Sequence, residues 1–581
     1  MIVIKGVPAS PGISIGKAYV LEDEEIVISR VEIPADRLRA EVKRFKAALK
    51  ATGRDLDLAE AKVLRVLGKK HARLIDAHRL ILRDSLITHD VPTRILKEGV
   101  NAEFALSESL EAVNKQFEKM EDEFFRERRH DLFDVGKRIV SHLLKQTRRS
   151  LADITEDCIL IARNLLPSDT LGLQETKIQG FATDLGGKTS HTAILAQTLE
   201  IPAVVGLSDV SHRVKTGESV ILDGEQGLVI INPGPETRDK YQQAQLKSQE
   251  EERALGALKG LPTMTQDGKV FELLSNLDTP DEFKATLNLQ SDGVGLLRTE
   301  YLFLNRTSPP TEDEQVKVYA AAAKAFAPKA VVIRTADLGG DRLAQFGLDA
   351  PKNEVNPFMG LRGVRLFMRH LDLFKTQLRA ILRASAKGNV RVMIPMVSSV
   401  GDMHSVRRLI NLAQAELRAE GIETAEKVPL GAMIEIPAAA LILDMFMPLL
   451  DFISIGTNDL IQYTLAVDRL NEHVAHLYDP FHPAVVRLMD QIVQTARKKG
   501  RPVSVCGEMA SDWQAVPLLV GMGVDSLSVT PRMFFRVKST IRSLRYDAMA
   551  KLVGQAMSCA ESDEIRRLLR DQAGVIPDRT P

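Results

Sequence analysis

The second half of the chain repeats one alternation, in which a short apolar run is followed by an amphipathic helical stretch. Eight such runs lie at 271–276, 293–299, 331–337, 390–396, 430–436, 452–459, 502–508 and 526–530. Helical stretches such as 361–386 and 401–420 lie between them. Eight βα units over about 300 residues predict a TIM (β/α)8 barrel with insertions. A doubly wound sheet alternates in the same way, so periodicity alone leaves both folds open.

The first half predicts an α/β domain interrupted by a helical bundle. Residues 1–21 read as strands and turns, and strand-like runs return at 158–163 and 202–206. Between them, apolar residues recur at three- and four-residue spacing, which is typical of amphipathic helices. We therefore predict a multidomain α/β chain with an α/β domain at 1–21 plus 147–233, an inserted helical bundle at 22–146, a helical linker at 234–260 and the barrel at 261–581.

Composition excludes several classes of protein. The 77 Lys and Arg residues balance the 77 Asp and Glu residues, which argues against nucleic-acid binding driven by excess positive charge. No run of 18 apolar residues occurs, and the N-terminal residues lack the pattern of a signal peptide, so we expect no membrane insertion. Cys158, Cys506 and Cys559 form no CxxC pair, which favours a reducing, cytoplasmic location.

Polar side chains follow the apolar runs at the positions where a barrel carries its active site. They are Arg298, Glu300, Arg334, Asp337, Glu435, Asn458, Asp459, Cys506 and Glu508. Taken singly, each is explained as well by an ion pair or a cap, or for Cys506 by apolar filling of the core. Together, the carboxylates of Glu435 and Asp459 with an anionic substrate suit Mg²⁺. Arginines bind phosphate and carboxylate oxygens in two-point contacts, so the set predicts a substrate with both groups.

A second motif, GGKTSHTAILAQ at 186–197, combines two glycines with a helix start. The glycines allow close approach of the backbone to an anion, and the N–H groups at a helix start favour negative charge. A neutral His191 at this place is a competent nucleophile for a phosphoryl group. An ordinary glycine turn with a capping histidine explains the motif equally well.

These segments together resemble the phosphoenolpyruvate-utilising enzymes. The motif at 186–197 is similar to that family's phosphohistidine motif. Segments similar to its barrel signatures are DGVGLLRTEYLF (292–303), IRTADLGGD (333–341), NPFMGLRGVR (356–365), QLRAILRAS (377–385), IEIPAAA (434–440), FISIGTNDLIQYTLAVDR (452–469) and CGEMA (506–510). Within that family, the chain most resembles the Enzyme I group, the phosphoenolpyruvate–protein phosphotransferases of the sugar phosphotransferase system. Two features carry this narrower resemblance, the helical insertion and the segment GVPASPGISIGKA (6–18).

The resemblance implies a transferase that moves the phosphoryl group of phosphoenolpyruvate to its own His191 and then to a histidine of the carrier protein HPr. Pyruvate is released, and the reaction is the first step of sugar uptake. Thr170 matches a residue that contacts the active histidine. The implied phosphoenolpyruvate ligands are Arg298, Arg334, Arg362, Arg469, Asn458 and Asp459. The side chains of Glu435 and Asp459 would hold Mg²⁺, and Cys506 would protonate the enolate carbon.

The resemblance also implies how the domains share this work. The helical insertion would dock HPr, and the barrel would form a homodimer. The phosphohistidine domain would swivel between two sites, so that domain closure gates turnover.

The sequence departs from the family pattern at three places. Arg342 stands where family members usually carry Lys after GGD, which keeps the charge but changes its geometry. The usual Trp before the barrel arginine is Leu361, which predicts looser packing around Arg362. The segment expected to face HPr is commonly acidic, whereas here Arg83 and Ser85 replace acids. Because like charges across an interface weaken binding, we predict a divergent, less basic HPr.

Three other readings compete with this one. The dikinase and synthase branches share the histidine and barrel motifs, but they need a large nucleotide-binding domain that the helical region does not resemble. A nitrogen-branch paralogue would carry a sensory domain before residue 1, whereas we expect this sequence to start directly at a strand of the phosphohistidine domain, which disfavours that alternative. A regulatory protein with a dead site is disfavoured because His191, Glu435, Asp459 and Cys506 are all present.

Overall fold

The structure is a computed structural model with two compact units, Met1–Glu251 and Glu252–Pro581. It describes the chain except residues 22–27, 67–77, 118–122, 145–153, 155, 166–176, 188–195, 197–200, 305, 307, 350–353, 355, 472 and 574–581. Within the described residues, we find no helix with the length and apolar character needed to cross a membrane.

The first unit contains a mixed eight-stranded sheet. Its strands are β1 (Ile2–Lys5), β2 (Val7–Ser10), β3 (Ile13–Leu21), β4 (Cys158–Ala162), β5 (Ile178–Thr183), β6 (Ala203–Val205), β7 (Ser219–Asp223) and β8 (Leu228–Ile231). They are arranged in the order β1-β8-β7-β3-β4-β5-β6-β2. The central strands β3 to β6 are parallel, and the outer pairs are antiparallel. A short helix, Val210–Arg213, lies between β6 and β7.

The central strands of this sheet carry apolar side chains on both faces, and these side chains are buried in two separate clusters. Alternate residues of β4 enter two different clusters: Leu160 and Ala162 pack in one, and Ile159 and Ile161 in the other. This explains why β4 reads in the sequence as a continuous apolar run rather than as an alternating one.

The inserted segment forms a helical bundle. Its helices are Leu38–Val66, Val91–Glu98, Ala102–Phe117 and Glu123–Leu144, with a π-helical turn at Leu86–Asp90. Gly99 ends the helix Val91–Glu98. It has a left-handed conformation, with φ of 64°, which glycine adopts at little cost. The bundle has its own buried core, which includes Phe45, Ile95 and Ile139.

A single long helix, Pro235–Gly256, follows the sheet. It occupies most of the segment that the charge pattern predicts to be a helical linker. Its Gln245 side chain donates to the backbone oxygen of Ile13 at 2.9 Å, so this part of the helix is attached to the first unit.

The second unit is a closed barrel of eight parallel strands. They are β9 (Glu272–Leu277), β10 (Val294–Leu297), β11 (Val331–Arg334), β12 (Val390–Ile394), β13 (Leu430–Ile434), β14 (Phe452–Ile455), β15 (Val503–Val505) and β16 (Ser526–Val529). Seven of the eight predicted runs contain one strand each, and β9 extends one residue beyond the run 271–276. The parallel pairing of β16 with β9 closes the ring, which decides for the barrel and against the doubly wound sheet.

Helices cover the outside of the barrel. They are Phe283–Leu289, Glu312–Phe326, Gly340–Gln345, Val364–Arg369, Leu371–Ala384, Val400–Ala419, Pro437–Leu441, Leu443–Phe446, Thr457–Leu465, Pro483–Lys498, Glu508–Ser511, Val516–Met522, Phe534–Ser543, Tyr546–Ala556 and Ser562–Ala573. Two of them begin with a full capping box, at Thr311 with Glu314 and at Ser399 with Asp402. A large apolar cluster lies between these helices and the strands.

The strands also direct side chains into the barrel. A separate interior cluster contains Leu296, Val332, Met393, Met433, Phe452 and Cys506. Side chains alternate along a strand, so Arg334, two residues after Val332, and Glu435, two residues after Met433, point to the same interior at its C-terminal end.

Candidate active site

The C-terminal ends of parallel strands in a closed barrel meet at one rim, where barrel enzymes carry their active sites. Six of the predicted residues of the second unit lie on or shortly after these ends: Arg298, Arg334, Glu435, Asn458, Asp459 and Cys506. Arg362 and Arg469 come instead from the connections that follow β11 and β14. His191 and Thr170 lie outside the described residues, as does most of the motif at 186–197.

Arg334, the last residue of β11, is held between two carboxylates. Its Nη2 donates to Glu300 Oε1 at 2.8 Å, and its Nη1 lies 4.0 Å from Asp337 Oδ2. Glu300 Oε1 also accepts the backbone N–H of Asp337 at 2.6 Å. Only 12% of the arginine side chain is exposed. The partners offset the cost of burying the charge and fix the orientation of the guanidinium.

Arg362 makes a two-point contact with Asp337. Its Nε donates to Oδ1 at 3.0 Å and its Nη2 to Oδ2 at 2.5 Å. The same Nη2 lies 3.4 Å from Asp459 Oδ2, and the ring of Phe358 lies 5.4 Å from the guanidinium. Burial would raise the pKa of the Asp337 carboxyl, but the hydrogen bonds and charge of Arg362 lower it overall. Asp337 is therefore ionised at neutral pH.

Leu361, expected to loosen the packing here, is partly buried against the barrel core. Its backbone N–H donates to Glu354 Oε1 at 3.0 Å, which fixes the chain just before Arg362. The Phe358 ring supplies an aromatic contact for the Arg362 guanidinium.

Asp459 links Arg362 to a third arginine. Its Oδ1 lies 3.7 Å from Arg469 Nη2, while its Oδ2 faces Arg362. The backbone N–H of Arg469 donates to Gln462 Oε1 at 3.2 Å, which ties the loop after the helix Thr457–Leu465 back to that helix. Asp459 thus lies between two positive charges.

Glu435 is buried beside these carboxylates. Its Oε1 accepts the backbone N–H of Met396 at 2.6 Å. Burial, together with the negative charges of Asp459 and Asp337, raises the pKa of the Glu435 carboxyl to about 8, against the opposing effect of Arg334. A positive ion beside Glu435 and Asp459 would remove this repulsion.

Cys506 follows β15 and is buried in the interior cluster. Its backbone oxygen accepts from Asn276 Nδ2 at 3.1 Å, and its Sγ lies 3.7 Å from the backbone oxygen of Ile455. Burial raises the pKa of the Cys506 thiol, although Ser454 and Arg334 act in the opposite direction. The thiol therefore keeps its proton at neutral pH and is available as an acid.

Two further predicted residues lie at the more exposed part of the rim. Asn458 Nδ2 donates to Glu508 Oε1 at 2.9 Å, and Asn458 Oδ1 accepts the backbone N–H of Glu508 at 2.7 Å. Arg298 Nη1 pairs with Asp278 Oδ1 at 2.7 Å. These contacts hold the side chains of Asn458 and Arg298 in place. Their partners, Glu508 and Asp278, lie outside the group of buried arginines and carboxylates.

Several buried polar atoms of the rim have no hydrogen-bond partner. Among the described residues they include Arg334 Nε, Arg469 Nη1, Asp459 Oδ1 and Glu300 Oε2. Buried polar groups are nearly always satisfied, so these atoms mark places where water or a bound group would complete the contacts. The arginine donors suit an anion, and the carboxylate oxygens suit a cation.

The structure thus brings Arg334, Arg362, Asp459 and Arg469 into one chain of contacts, with Glu435 and Cys506 beside it. Sequence reasoning did not assign site roles to Glu300 and Asp337, although both were visible as polar residues after apolar runs. Their role is to hold the arginines, and that role follows from contacts between strands that no local pattern encodes. Tyr478 was also missed, since nothing in its local sequence marks it. Its hydroxyl donates to the Asn458 backbone oxygen at 3.2 Å.

A parallel barrel whose rim holds arginines, two close carboxylates and a protonated thiol defines an enzyme for a small anionic substrate. Comparison with known families gives the same class. Three family descriptions match consecutive parts of the chain: "PEP-utilising enzyme, N-terminal" over residues 5–128, "PEP-utilising enzyme, mobile domain" over 154–227 and "PEP-utilising enzyme, PEP-binding domain" over 252–546.

Similar curated proteins are matched over almost their whole length. The phosphoenolpyruvate-protein phosphotransferase of Listeria monocytogenes is 40% identical over 566 residues, which cover 97% of this chain and 98% of that protein. Its counterpart from Bacillus subtilis is 38% identical over 568 residues, covering 98% and 99%. The chain belongs to the phosphoenolpyruvate-protein phosphotransferase family, and this confirms the resemblance drawn from the motifs.

Proposed function

We propose that the chain catalyses transfer of the phosphoryl group of phosphoenolpyruvate to His191 and from there to a histidine of HPr, with release of pyruvate. The observation that carries this proposal is the chain of contacts from Arg334 through Asp337, Arg362 and Asp459 to Arg469. It presents several fixed positive charges around carboxylates that a cation can neutralise.

The substrate would be held by the arginines. Phosphoryl transfer depends mainly on positioning and on neutralising charge, rather than on covalent help from the enzyme. The unpaired donors Arg334 Nε and Arg469 Nη1 are already oriented by ion pairs, so little reorganisation is needed when an anion binds. Arg298, Arg362, Asn458 and the backbone of Asp459 would supply the remaining contacts.

Glu435 and Asp459 fit a hard divalent cation, for which we propose Mg²⁺. Asp459 Oδ1 is buried without a hydrogen-bond partner, and only Oε1 of Glu435 is used, by Met396. Within the described residues, no three His, Cys, Asp or Glu side chains group closely enough to hold a metal. Two carboxylates completed by substrate oxygens are the usual arrangement for Mg²⁺. The bound ion would neutralise negative charge on the transferring phosphoryl group.

Cys506 would give its proton to the enolate carbon of the product. A general acid must carry its proton at the working pH, and the raised pKa of this thiol satisfies that condition. The hydrogen bond from Asn276 to the Cys506 backbone holds the residue in position.

His191 would accept the phosphoryl group, with Thr170 as its neighbour, in a domain formed by 1–21 and 147–233. The helical bundle at 22–146 would dock HPr, and the segment 234–260 would link both to the barrel. Because His191 must reach both phosphoenolpyruvate and HPr, we propose that its domain swivels during each turnover.

The surface of the helical bundle around Arg83 supports the proposal that the HPr partner is less basic than usual. Arg83, Asp84 and Ser85 are all exposed on the bundle, so the replaced acids are on a surface that a partner can contact. Transfer of label from the phosphorylated protein to a generic basic HPr tests this: an Arg83→Glu variant should transfer faster than the wild type. Full-rate transfer by the wild type would contradict the idea.

We further propose that the chain forms a homodimer through its barrel, and that the protein is located in the cytoplasm. The barrel exposes large apolar side chains at Met359, Leu441, Met445, Leu470 and Leu477, which a second copy of the chain would cover. The three cysteines are free, as is usual in a reducing compartment. Analytical ultracentrifugation of the wild type beside Met445→Lys tests the dimer.

The experiment that tests the proposed function is phosphorylation with labelled phosphoenolpyruvate and Mg²⁺, without nucleotide, beside His191→Ala. We expect acid-labile label on the wild type alone, with release of pyruvate. Label that requires ATP would point to the dikinase branch, and no label at all would point to a regulator with a dead site.

A further inference from the structure

The helix Ser562–Ala573 contacts the turn at 478–482, which precedes the helix Pro483–Lys498. Arg566 Nη2 donates to Asp479 Oδ1 at 2.7 Å. The same guanidinium lies 5.0 Å from the centre of the Phe481 ring. One arginine near the end of the chain therefore contacts the turn at two places, through a carboxylate and through an aromatic ring.

The turn itself is held in one conformation. Asp479 Oδ1 accepts the backbone N–H of Phe481 at 2.9 Å, and His482 Nδ1 accepts the backbone N–H of Ala484 at 3.1 Å. The oxygen that Arg566 binds is thus already fixed by the backbone. A movement of Arg566 would be transmitted to the turn rather than absorbed by a loose side chain.

The turn carries Tyr478 to the rim of the barrel. The Tyr478 hydroxyl donates to the backbone oxygen of Asn458 at 3.2 Å. Burial raises the pKa of Tyr478 to about 12, against the opposing charge of Arg469, so the hydroxyl keeps the proton that it donates. Asn458 and Arg469 are two of the residues assigned to substrate binding, and Tyr478 is next to both.

We propose that Arg566 is a positioning residue for substrate binding, which acts through Asp479 and Tyr478 on Asn458 and Arg469. This inference rests on the proposed function, in which those two residues hold phosphoenolpyruvate. The side chains of Arg566 and Asp479 are 39% and 18% exposed, so as an ion pair alone the contact adds little stability. Its importance lies in the geometry that it imposes on the rim.

The test is steady-state pyruvate release by the full chain with Arg566→Gln, Asp479→Asn and the double variant, in the presence of excess HPr, which accepts the phosphoryl group from His191 so that turnover continues. Asparagine keeps an oxygen that can accept from Phe481 and loses only the charge. We expect each single variant to raise KM for phosphoenolpyruvate about tenfold, because misplacing binding groups is costly, and to leave kcat nearly unchanged. The double variant should match the single ones, since both changes break the same contact.

Arg570→Gln is the matched control, because Arg570 is exposed one turn further along the same helix. It should have the KM of the wild type. An unchanged KM in Arg566→Gln, or effects that add in the double variant, would overturn the inference. A lower melting temperature with a normal KM would assign Arg566 a purely structural role and would overturn it too. If the wild type itself releases no pyruvate, the proposed function fails, and the inference fails with it.

Discussion

Replacing Gly456 by alanine should displace Glu435 and weaken the binding of Mg²⁺. Gly456 follows β14 with φ of −86°, so alanine meets no backbone strain there. A Cβ at this position would lie 2.7 Å from Glu435 Oε2 and 2.9 Å from Met433 Cγ. An ordinary contact begins near 3.4 Å, so Glu435 Oε2 must move away by 3.4 − 2.7 = 0.7 Å.

The neighbouring atoms have little freedom to make room. Met433 and Glu435 are each 2% exposed, and Glu435 is held by the N–H of Met396 at 2.6 Å. Overpacking of this kind costs about 1–3 kcal/mol. Ligand distances to a metal are held to about 0.2 Å, and the loss of an orienting contact costs about 10–100-fold in metal affinity. We expect a loss of that size for Mg²⁺.

The assay is the Mg²⁺ dependence of pyruvate release in a single turnover, together with thermal unfolding. Gly554→Ala is the matched control, because Gly554 lies in the helix Tyr546–Ala556 and a Cβ there meets nothing within 4 Å. That change should stabilise the protein slightly and leave the Mg²⁺ dependence as it was. A wild-type Mg²⁺ dependence in Gly456→Ala would show that the metal does not use Glu435.

Three further predictions follow from the buried charges. The pKa of Glu435 in the folded state, about 8, exceeds the ordinary value of 4.5, so the contribution of Glu435 to stability is greatest below pH 4.5 and is lost as the pH rises through 8. Added Mg²⁺ should therefore raise the melting temperature more at pH 8.5 than at pH 6, and Glu435→Gln should abolish this difference; an equal Mg²⁺ effect at both pH values would contradict it. Asp337→Asn leaves buried Arg362 without its ionised partner, and we expect a loss of about 3–5 kcal/mol in unfolding free energy by urea titration, whereas a loss below 1 kcal/mol would contradict the pairing. Cys506→Ser should retain phosphoenolpyruvate binding but slow pyruvate formation by about 10²–10⁴-fold, because a serine hydroxyl is a far weaker acid; quenched-flow measurement of pyruvate at a wild-type rate would exclude the thiol as the donor.

The barrel strands were predictable because most of their residues are buried on both faces. Runs such as 390–396 and 430–436 are therefore mainly apolar rather than alternating, and they contain β12 and β13. Helix boundaries were also legible where capping residues mark them, as at Ser399 before the predicted helix 401–420. Closure of the sheet was not predictable from periodicity, since it depends on the pairing of the first strand with the last.

The sequence marks the candidate chemical residues of the site, but it does not mark the residues that support them. Arg334, Glu435 and Cys506 each follow an apolar run and match a family motif, so the chain itself marks them. Glu300 and Asp337 follow such runs too, yet their function as partners of the arginines arises from distances across neighbouring strand ends. Local sequence carries no record of such distances.

The sequence by itself determined where the barrel strands lie and marked the candidate reactive groups, because burial leaves a periodic record in the chain and local motifs mark such groups. Tertiary structure alone decided which charges meet. Asp337 and Arg362 are 25 residues apart and Arg566 and Asp479 are 87 apart, and only the closed barrel brings each pair within hydrogen-bond distance. The raised pKa of Glu435 has the same origin, since it depends on burial and on charges contributed by other strands.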